Sequence, residues 1–173
     1  MSFIKLVSII ALVTGCLGFL ATKGCGFRPI HKADSVSGMA NLGKIHVSVI
    51  PDRTGQLLRN ELLQQLQPSG PIKPFEYVLS VSLNESIQTF AIRRDAVATR
   101  ANLTLQASFR LKAHDTGKAL FTDQSFSINS YNILTSDYAT VSARHHARKR
   151  AVRHLAMDIR NRVSVWLIQN NPN

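Results

Sequence analysis

Residues 103–111 read Leu103-Thr104-Leu105-Gln106-Ala107-Ser108-Phe109-Arg110-Leu111, and every second side chain is apolar. Side chains of an extended chain point alternately to opposite sides. This stretch therefore reads as a strand with Leu103, Leu105, Ala107, Phe109 and Leu111 on one face. Asn102, Thr104, Gln106, Ser108 and Arg110 line the other. One dry face and one wet face is the mark of an antiparallel sheet covered on one side only. The same period runs upstream, where Tyr77, Leu79, Val81 and Leu83 oppose Val78, Ser80, Ser82 and Asn84. Residues 92–98, between the two runs, read as the end of a hairpin. Downstream, Asp115-Thr116-Gly117 is a tight turn. Residues 121–131 then form the last strand, with Phe126 and Ile128 expected to point inward.

Helical periods flank these strands. Residues 45–50 alternate briefly and are stopped by Pro51. Asp52 or Thr54 is positioned to cap a following helix, in which Leu58, Leu62 and Leu66 recur every four residues beside Leu57 and Leu63. Pro68-Ser69-Gly70-Pro71 ends that helix. From Ser136, a second cap, a longer helix runs to about Leu167, with Ala147, Ala151, Leu155, Ile159 and Val163 as its stripe and Val152 and Trp166 beside it. The order is β-α-β-β-β-α. Each helix has one apolar stripe, so both cover the same face of the sheet. The fold class is α+β: two layers, a four-stranded mostly antiparallel sheet with two helices on one side. This domain spans residues 44–168, with residues 169–173 as a tail.

The beginning of the chain is different in kind. Residues 6–22, LVSIIALVTGCLGFLAT, hold no charge and follow a short start with Lys5. A spanning helix needs about 17–25 apolar residues, so this run sits at the lower bound and fits an export signal better than an anchor. Both cysteines of the chain, Cys16 and Cys25, lie here, and none follows, so the body has no disulfide and no cysteine metal site. A signal that ends at a cysteine after small residues resembles a bacterial lipoprotein signal, in which that cysteine is acylated. Val13-Thr14-Gly15-Cys16 fits that pattern well; Thr22-Lys23-Gly24-Cys25 carries a lysine where a small neutral residue is usual. Choosing Cys25 leaves no stray thiol behind, whereas choosing Cys16 leaves Cys25 free; the expectation is that one of the two is acylated, the alternative being that one or both are small buried hydrophobes in an anchor helix. Residues 1–24 are accordingly the leader, and residues 25–43, small and polar, a tether.

The formal charge is +11, and +9 remains without Lys5 and Lys23 because residues 1–24 contain no acid. A field of that sign gathers polyanions: nucleic acid, anionic lipid or phosphorylated glycolipid. No zinc-protease motif, glycine-rich phosphate loop or nucleophile elbow occurs, so the chain reads as no enzyme. His145, His146 and His154 are one, eight and nine residues apart, spacings that do not share a metal on a helix. The charge concentrates on the last helix, in Arg144, Arg148, Lys149, Arg150, Arg153, Arg160 and Arg162, with Asp158 as the acid among them. Like charges three or four apart repel by a few tenths of a kcal/mol per pair. Arg93, Arg94 and Arg100 form a second set at the strand connection, where guanidinium forks can hold phosphate or carboxylate.

Four segments carry a resemblance: Cys25-Gly26-Phe27-Arg28-Pro29; Ile50-Pro51-Asp52-Arg53-Thr54-Gly55-Gln56-Leu57-Leu58-Arg59-Asn60; Ala98-Thr99-Arg100-Ala101-Asn102-Leu103; and Ser130-Tyr131-Asn132-Ile133-Leu134 with Ser136-Asp137-Tyr138-Ala139-Thr140. In that order they resemble the lipopolysaccharide-assembly lipoprotein family LptE in its alphaproteobacterial form. The resemblance implies an outer-membrane lipoprotein on the periplasmic side, anchored by a covalent lipid (palmitate among its acyl chains) on Cys25. It implies a plug that helps assemble the LptD β-barrel and assists delivery of lipopolysaccharide to the outer leaflet, with no other cofactor. Arg93, Arg94 and Arg100 are then the first expected contacts with glycolipid or barrel, and Arg144, Arg148, Lys149, Arg150 and Arg153 the second. Lys23 and the His145-His146 pair depart from the family's pattern. The competing reading is a membrane-tethered periplasmic module for another polyanion, DNA or an anionic glycolipid. No aromatic lies between Arg144 and Arg162 to stack on bases, which disfavours specific nucleic-acid binding.

Overall fold

The structure is a computed structural model that describes residues 41–91 and 98–170. The elements are β1 (Ile45–Val47), α1 (Asp52–Leu66), β2 (Tyr77–Ala91), β3 (Ala98–Ala113), β4 (Ala119–Asn132) and α2 (Asp137–Asn170). They build one sheet in the order β1-β2-β3-β4. β1 runs parallel to β2, with α1 as the crossover, and the other two pairings are antiparallel. The α+β architecture follows from the sequence periods as expected. Residues 41–43 add a turn of helix ahead of β1, and Leu42 within it is buried.

Register fixes which side chains share a face. Leu79, Leu111 and Phe121 lie in one row across β2, β3 and β4; Val81, Phe109 and Asp123 form the next; Leu83, Ala107 and Ser125 the third; Glu85, Leu105 and Ser127 the fourth. This is the covered face. Leu103, Leu105, Ala107, Phe109 and Leu111 of β3 are all buried, as their alternation indicates. α2 lies against β3 and β4, and α1 against β1 and α2. The helices contribute Leu58, Leu62 and Leu66 from α1, and Ala147, Ala151, Leu155, Ile159 and Val163 from α2. At one end of this layer Trp166 stacks on Phe121 at 6.1 Å and 17°, and Phe121 meets Phe109 edge-on at 5.9 Å.

The expectation for β4 fails. Phe126 is 68% exposed and Ile128 56% exposed, while Ser125 and Ser127 are buried. The reason lies across the layer. Opposite Ser125, α2 presents Asp158, whose Oδ2 accepts a 2.6 Å hydrogen bond from Ser125 Oγ. The inward face of β4 is therefore polar where α2 brings its own charges, and the larger apolar residues face out.

Local details follow the same logic. α1 begins after Pro51 with no side-chain cap. Asp52, in the left-handed region at φ 66°, does not serve as a cap, and Thr54 Oγ1 instead donates to Glu85 Oε2 at 3.0 Å. Ser136 caps α2 as expected, its Oγ accepting from the Ala139 N–H at 3.4 Å. Gly117, φ +67°, supplies the left-handed turn residue between β3 and β4. Gly55 is required by close approach: a Cβ there would meet Ile50 Cγ2 at 2.7 Å.

The two outer strands are treated differently. The Ile45 and Val47 carbonyls of β1 accept from Gln67 Nε2 at 2.6 Å and Arg59 Nε at 3.3 Å, so α1 and its C-cap residue satisfy that edge. Along β4, the Ser130 carbonyl accepts from Arg150 Nη2 at 3.3 Å.

Candidate functional site

Of the two expected basic sets, the helix set and Arg100 fall within the described residues. Arg93, Arg94, Cys16 and Cys25 lie outside the described residues. Arg100 is the third residue of β3 and exposed on the open face of the sheet, in register with Phe90 on β2 and Asn132 on β4.

The helix cluster does not form one surface. Arg148 is half-buried and clamps Glu85 of β2: its Nε lies 2.9 Å from Oε2 and its Nη2 2.5 Å from Oε1. Each partner's side chain is less than a quarter exposed. That fork holds the Glu85 carboxyl below the ordinary glutamate value; partial burial opposes the shift, and the Thr54 hydroxyl adds to it. Arg162 bridges two acids, Asp123 of β4 at 2.8 Å and Asp158 one turn back at 2.9 Å. Its hydrogen bond, with that from the Gln124 N–H, lowers the Asp123 carboxyl as well. Arg150 reaches the β4 backbone, and Arg153 sits 4.0 Å from Glu61 of α1. Thus Arg148 and Arg162 fasten the helix to the sheet. Arg144 and Lys149 enter no ion pair among the described residues. Reading α2 alone shows two acids, Asp137 in its first turn and Asp158 within the basic run; the fold brings Glu85, Glu61 and Asp123 from elements distant in sequence.

Beside the Arg148–Glu85 clamp lies a cleft between α1 and the first half of α2, of about 430 Å³. Arg53 and Leu57 line it from α1; Tyr138, Val141, Arg144 and His145 line it from α2, with Arg148 alongside. Three guanidinium groups line it, those of Arg53, Arg144 and Arg148, and Glu85 is held by Arg148. Arg53 is exposed and, like Arg144, makes no ion pair among the described residues. The His145 imidazole is held below its ordinary value by desolvation first, then by the positive charges of Lys149, His146, Arg53 and Arg148. Tyr138 is 85% exposed and Val141 54% exposed at the mouth.

Arg53, Leu57, Tyr138 and Val141 are absent from the residues that the charge pattern singles out. Glu85 could have been found from sequence: it falls at the inward parity of β2, after Leu83, where a strand over a dry core carries an apolar residue. An acid at such a position asks for a cation across the layer. The cleft residues left no such sign, because they converge from two helices.

Among the described residues, no group of three His, Cys, Asp or Glu side chains could hold a metal. No helix among them is long and apolar enough to cross a membrane.

Comparison with known proteins adds the rest. No protein of curated function matches the sequence. The fold is similar to the crystal structure of a lipoprotein from Caulobacter crescentus CB15, with TM-score 0.62 and 26% identity over 76% of this chain and 96% of that one. A minor lipoprotein from Acinetobacter baumannii shares the fold at TM-score 0.55 and 17% identity, over 70% of this chain and 91% of that one. So does rare lipoprotein B from Shewanella oneidensis, at 0.54 and 12%, over 73% and 98%. The family model LptE, described as lipopolysaccharide-assembly, matches residues 42–163. That span starts at the first described core residue, Leu42, and runs through the whole sheet to Val163 of α2, so the chain belongs to the LptE lipopolysaccharide-assembly family.

Proposed function

We propose that this chain is a non-enzymatic outer-membrane lipoprotein that occupies and helps assemble an LptD-type β-barrel and assists delivery of lipopolysaccharide to the outer leaflet. The carrying observation is the LptE match over residues 42–163. The Caulobacter lipoprotein, similar at 26% identity over nearly its full length, supports the lipid anchor. In this reading a lipid on Cys25, or on Cys16, tethers the chain to the periplasmic side of the membrane through residues 25–43.

The positive field suits lipopolysaccharide, whose inner part carries phosphates and carboxylates. Arg93, Arg94 and Arg100 at the strand connection, and Arg144, Lys149, Arg150 and Arg153 on α2, are the proposed contacts with glycolipid or barrel. Arg148 belongs to the same proposal with a reduced role, because Glu85 already occupies its fork.

The test is copurification from solubilised outer membranes, followed by depletion. A large β-barrel should accompany the chain, and surface lipopolysaccharide should fall when the chain is removed. Unchanged barrel assembly and unchanged lipopolysaccharide display on depletion would overturn the proposal. Intact-mass analysis of the mature N-terminus decides between the two cysteines.

A further inference from the structure

The outer edge of β4 is open over one window. In an antiparallel pair, successive residues turn their backbone N–H and C=O alternately toward the partner strand and away from it. The Ile133 N–H donates to the Thr99 carbonyl at 3.0 Å, so the odd-numbered residues of β4 pair with β3. Thr122, Gln124, Phe126, Ile128 and Ser130 therefore aim their backbone groups at the free edge. Asp123 Oδ1 takes the Gln124 N–H at 2.8 Å, and Arg150 takes the Ser130 carbonyl. Between these two, nothing among the described residues answers the N–H and C=O of Phe126 and Ile128. β4 holds neither proline nor lysine, the usual guards of an exposed edge, and its register with β3 is unbroken from Arg100↔Asn132 to Leu111↔Phe121.

The side chains of the same window point to a partner. Phe126 and Ile128 stand exposed on the open face. On the covered side, Arg150, Asp158 and Arg162 each reach β4, which marks the row of α2 that faces it. His154, four residues from both Arg150 and Asp158, falls in that row and is exposed. Asp158 and Asp123 are both held by Arg162, whereas Arg150 enters no ion pair among the described residues. The nearby open-face charges are Arg100, Arg110 and Lys112 of β3. Asp115 and Asp137 lie beyond the two ends of β4, and Asp115 Oδ1 accepts from the Thr116 N–H. The free charge along this edge is positive.

We propose that the β4 edge accepts an extended, acidic segment of another protein as an added strand, paired along residues 124–130. Its apolar side chains lie beside Phe126 and Ile128, and alternate with acidic ones that face Arg150 and His154. The unpaired ladder selects polypeptide, because a lipid or a glycan has no alternating N–H and C=O to offer it. Main-chain bonds then supply affinity, and the two-residue period of a strand supplies specificity. An incoming N–H that takes the Ser130 carbonyl releases the Arg150 guanidinium to a carboxylate, a stronger bond. A second copy of the chain fits less well: it brings a like charge of +11, and the one acid of its β4, Asp123, is already held by Arg162. The proposal rests on the strand edge and not on the LptE match, so its failure leaves the proposed function standing.

The experiment uses the full chain in a neutral detergent, titrated with three acetylated nine-residue peptides. One alternates valine and glutamate, the second alternates valine and lysine, and the third is the first with its two central valines replaced by proline. The acidic peptide should bind about tenfold or more tightly than the basic one, with a margin that shrinks as salt is added. The proline peptide, which has lost ladder donors, should not bind. Saturation with the acidic peptide should slow amide hydrogen exchange at Phe126, Ile128 and Ser130 and leave the odd-numbered amides of β4, already paired with β3, unchanged. The double variant F126S/I128S, altered at exposed positions, should lose about tenfold in affinity. R150Q should keep the exchange protection and lose most of the preference for glutamate over lysine. Exchange at Phe126 and Ile128 that the acidic peptide does not slow would overturn the added strand, as would equal binding by the proline peptide. Equal binding of the acidic and basic peptides would overturn the acidic partner. Self-association that protects the same amides and excludes the peptide would assign the edge to a second copy and overturn the proposal.

Discussion

β3 and β4 are neighbours, hydrogen-bonded from Arg100↔Asn132 to Lys112↔Ala119, yet they face the helices in opposite ways. β3 offers α2 an unbroken apolar row. β4 offers Phe121, then Asp123, Ser125 and Ser127, and turns Phe126 and Ile128 to solvent. The difference teaches that inward parity is decided by what the covering layer supplies. Over β3 the helices bring Leu and Ile; over β4 they bring Asp158 and Arg162, and a serine or aspartate there is satisfied rather than stranded.

The largest break in that contrast is Phe109→Ala on β3. Removing a fully buried ring that also holds Phe121 edge-on should cost about 3–5 kcal/mol in denaturant unfolding. Next comes Glu85→Ala, which leaves the half-buried Arg148 without its acid and should cost about 1–3 kcal/mol by the same measurement. Ser125→Ala, which strips one hydrogen bond from Asp158 but leaves Arg162 on it, should cost about 1 kcal/mol. Phe126→Ser should be the smallest, within about 0.5 kcal/mol, because the ring already lies in water. A loss at Phe126 comparable to that at Phe109 would contradict the register of β4.

Acid titration sharpens the same comparison. Glu85 and Asp123 both have lowered values in the folded chain. The stability they contribute is therefore present above their unfolded values, 4.5 and 3.8, and is lost as pH falls through the lowered folded ones. E85Q should flatten the Glu85 part of that loss in acid-unfolding curves, because the titrating group is gone. D123N should do the same less strongly, its carboxylate being closer to solvent.

How much was legible follows from where the information sits. The alternation of residues 103–111 and 77–83, the four-residue steps of Leu58, Leu62 and Leu66, and the turn at Asp115-Thr116-Gly117 are properties of adjacent residues. They determine the element order and the two-layer architecture without reference to distant contacts. The α2 cluster was visible as charge but not as its two uses, because Glu85 stands 63 residues from Arg148 and Asp123 stands 39 from Arg162. A run of basic residues on one helix carries no record of which acids will face it.

By itself, then, the sequence determined the local periods, the covered-sheet plan and the excess of positive charge, because each depends on spacing or on a sum. Only the tertiary structure decided that Phe126 and Ile128 face water, that Arg148 and Arg162 are fasteners, and that Arg53 and Arg144 share a cleft with Tyr138 and Val141. Those outcomes depend on which side chains meet across the layer. The desolvation and pairing energies that govern a buried charge exist only once its partner is in place.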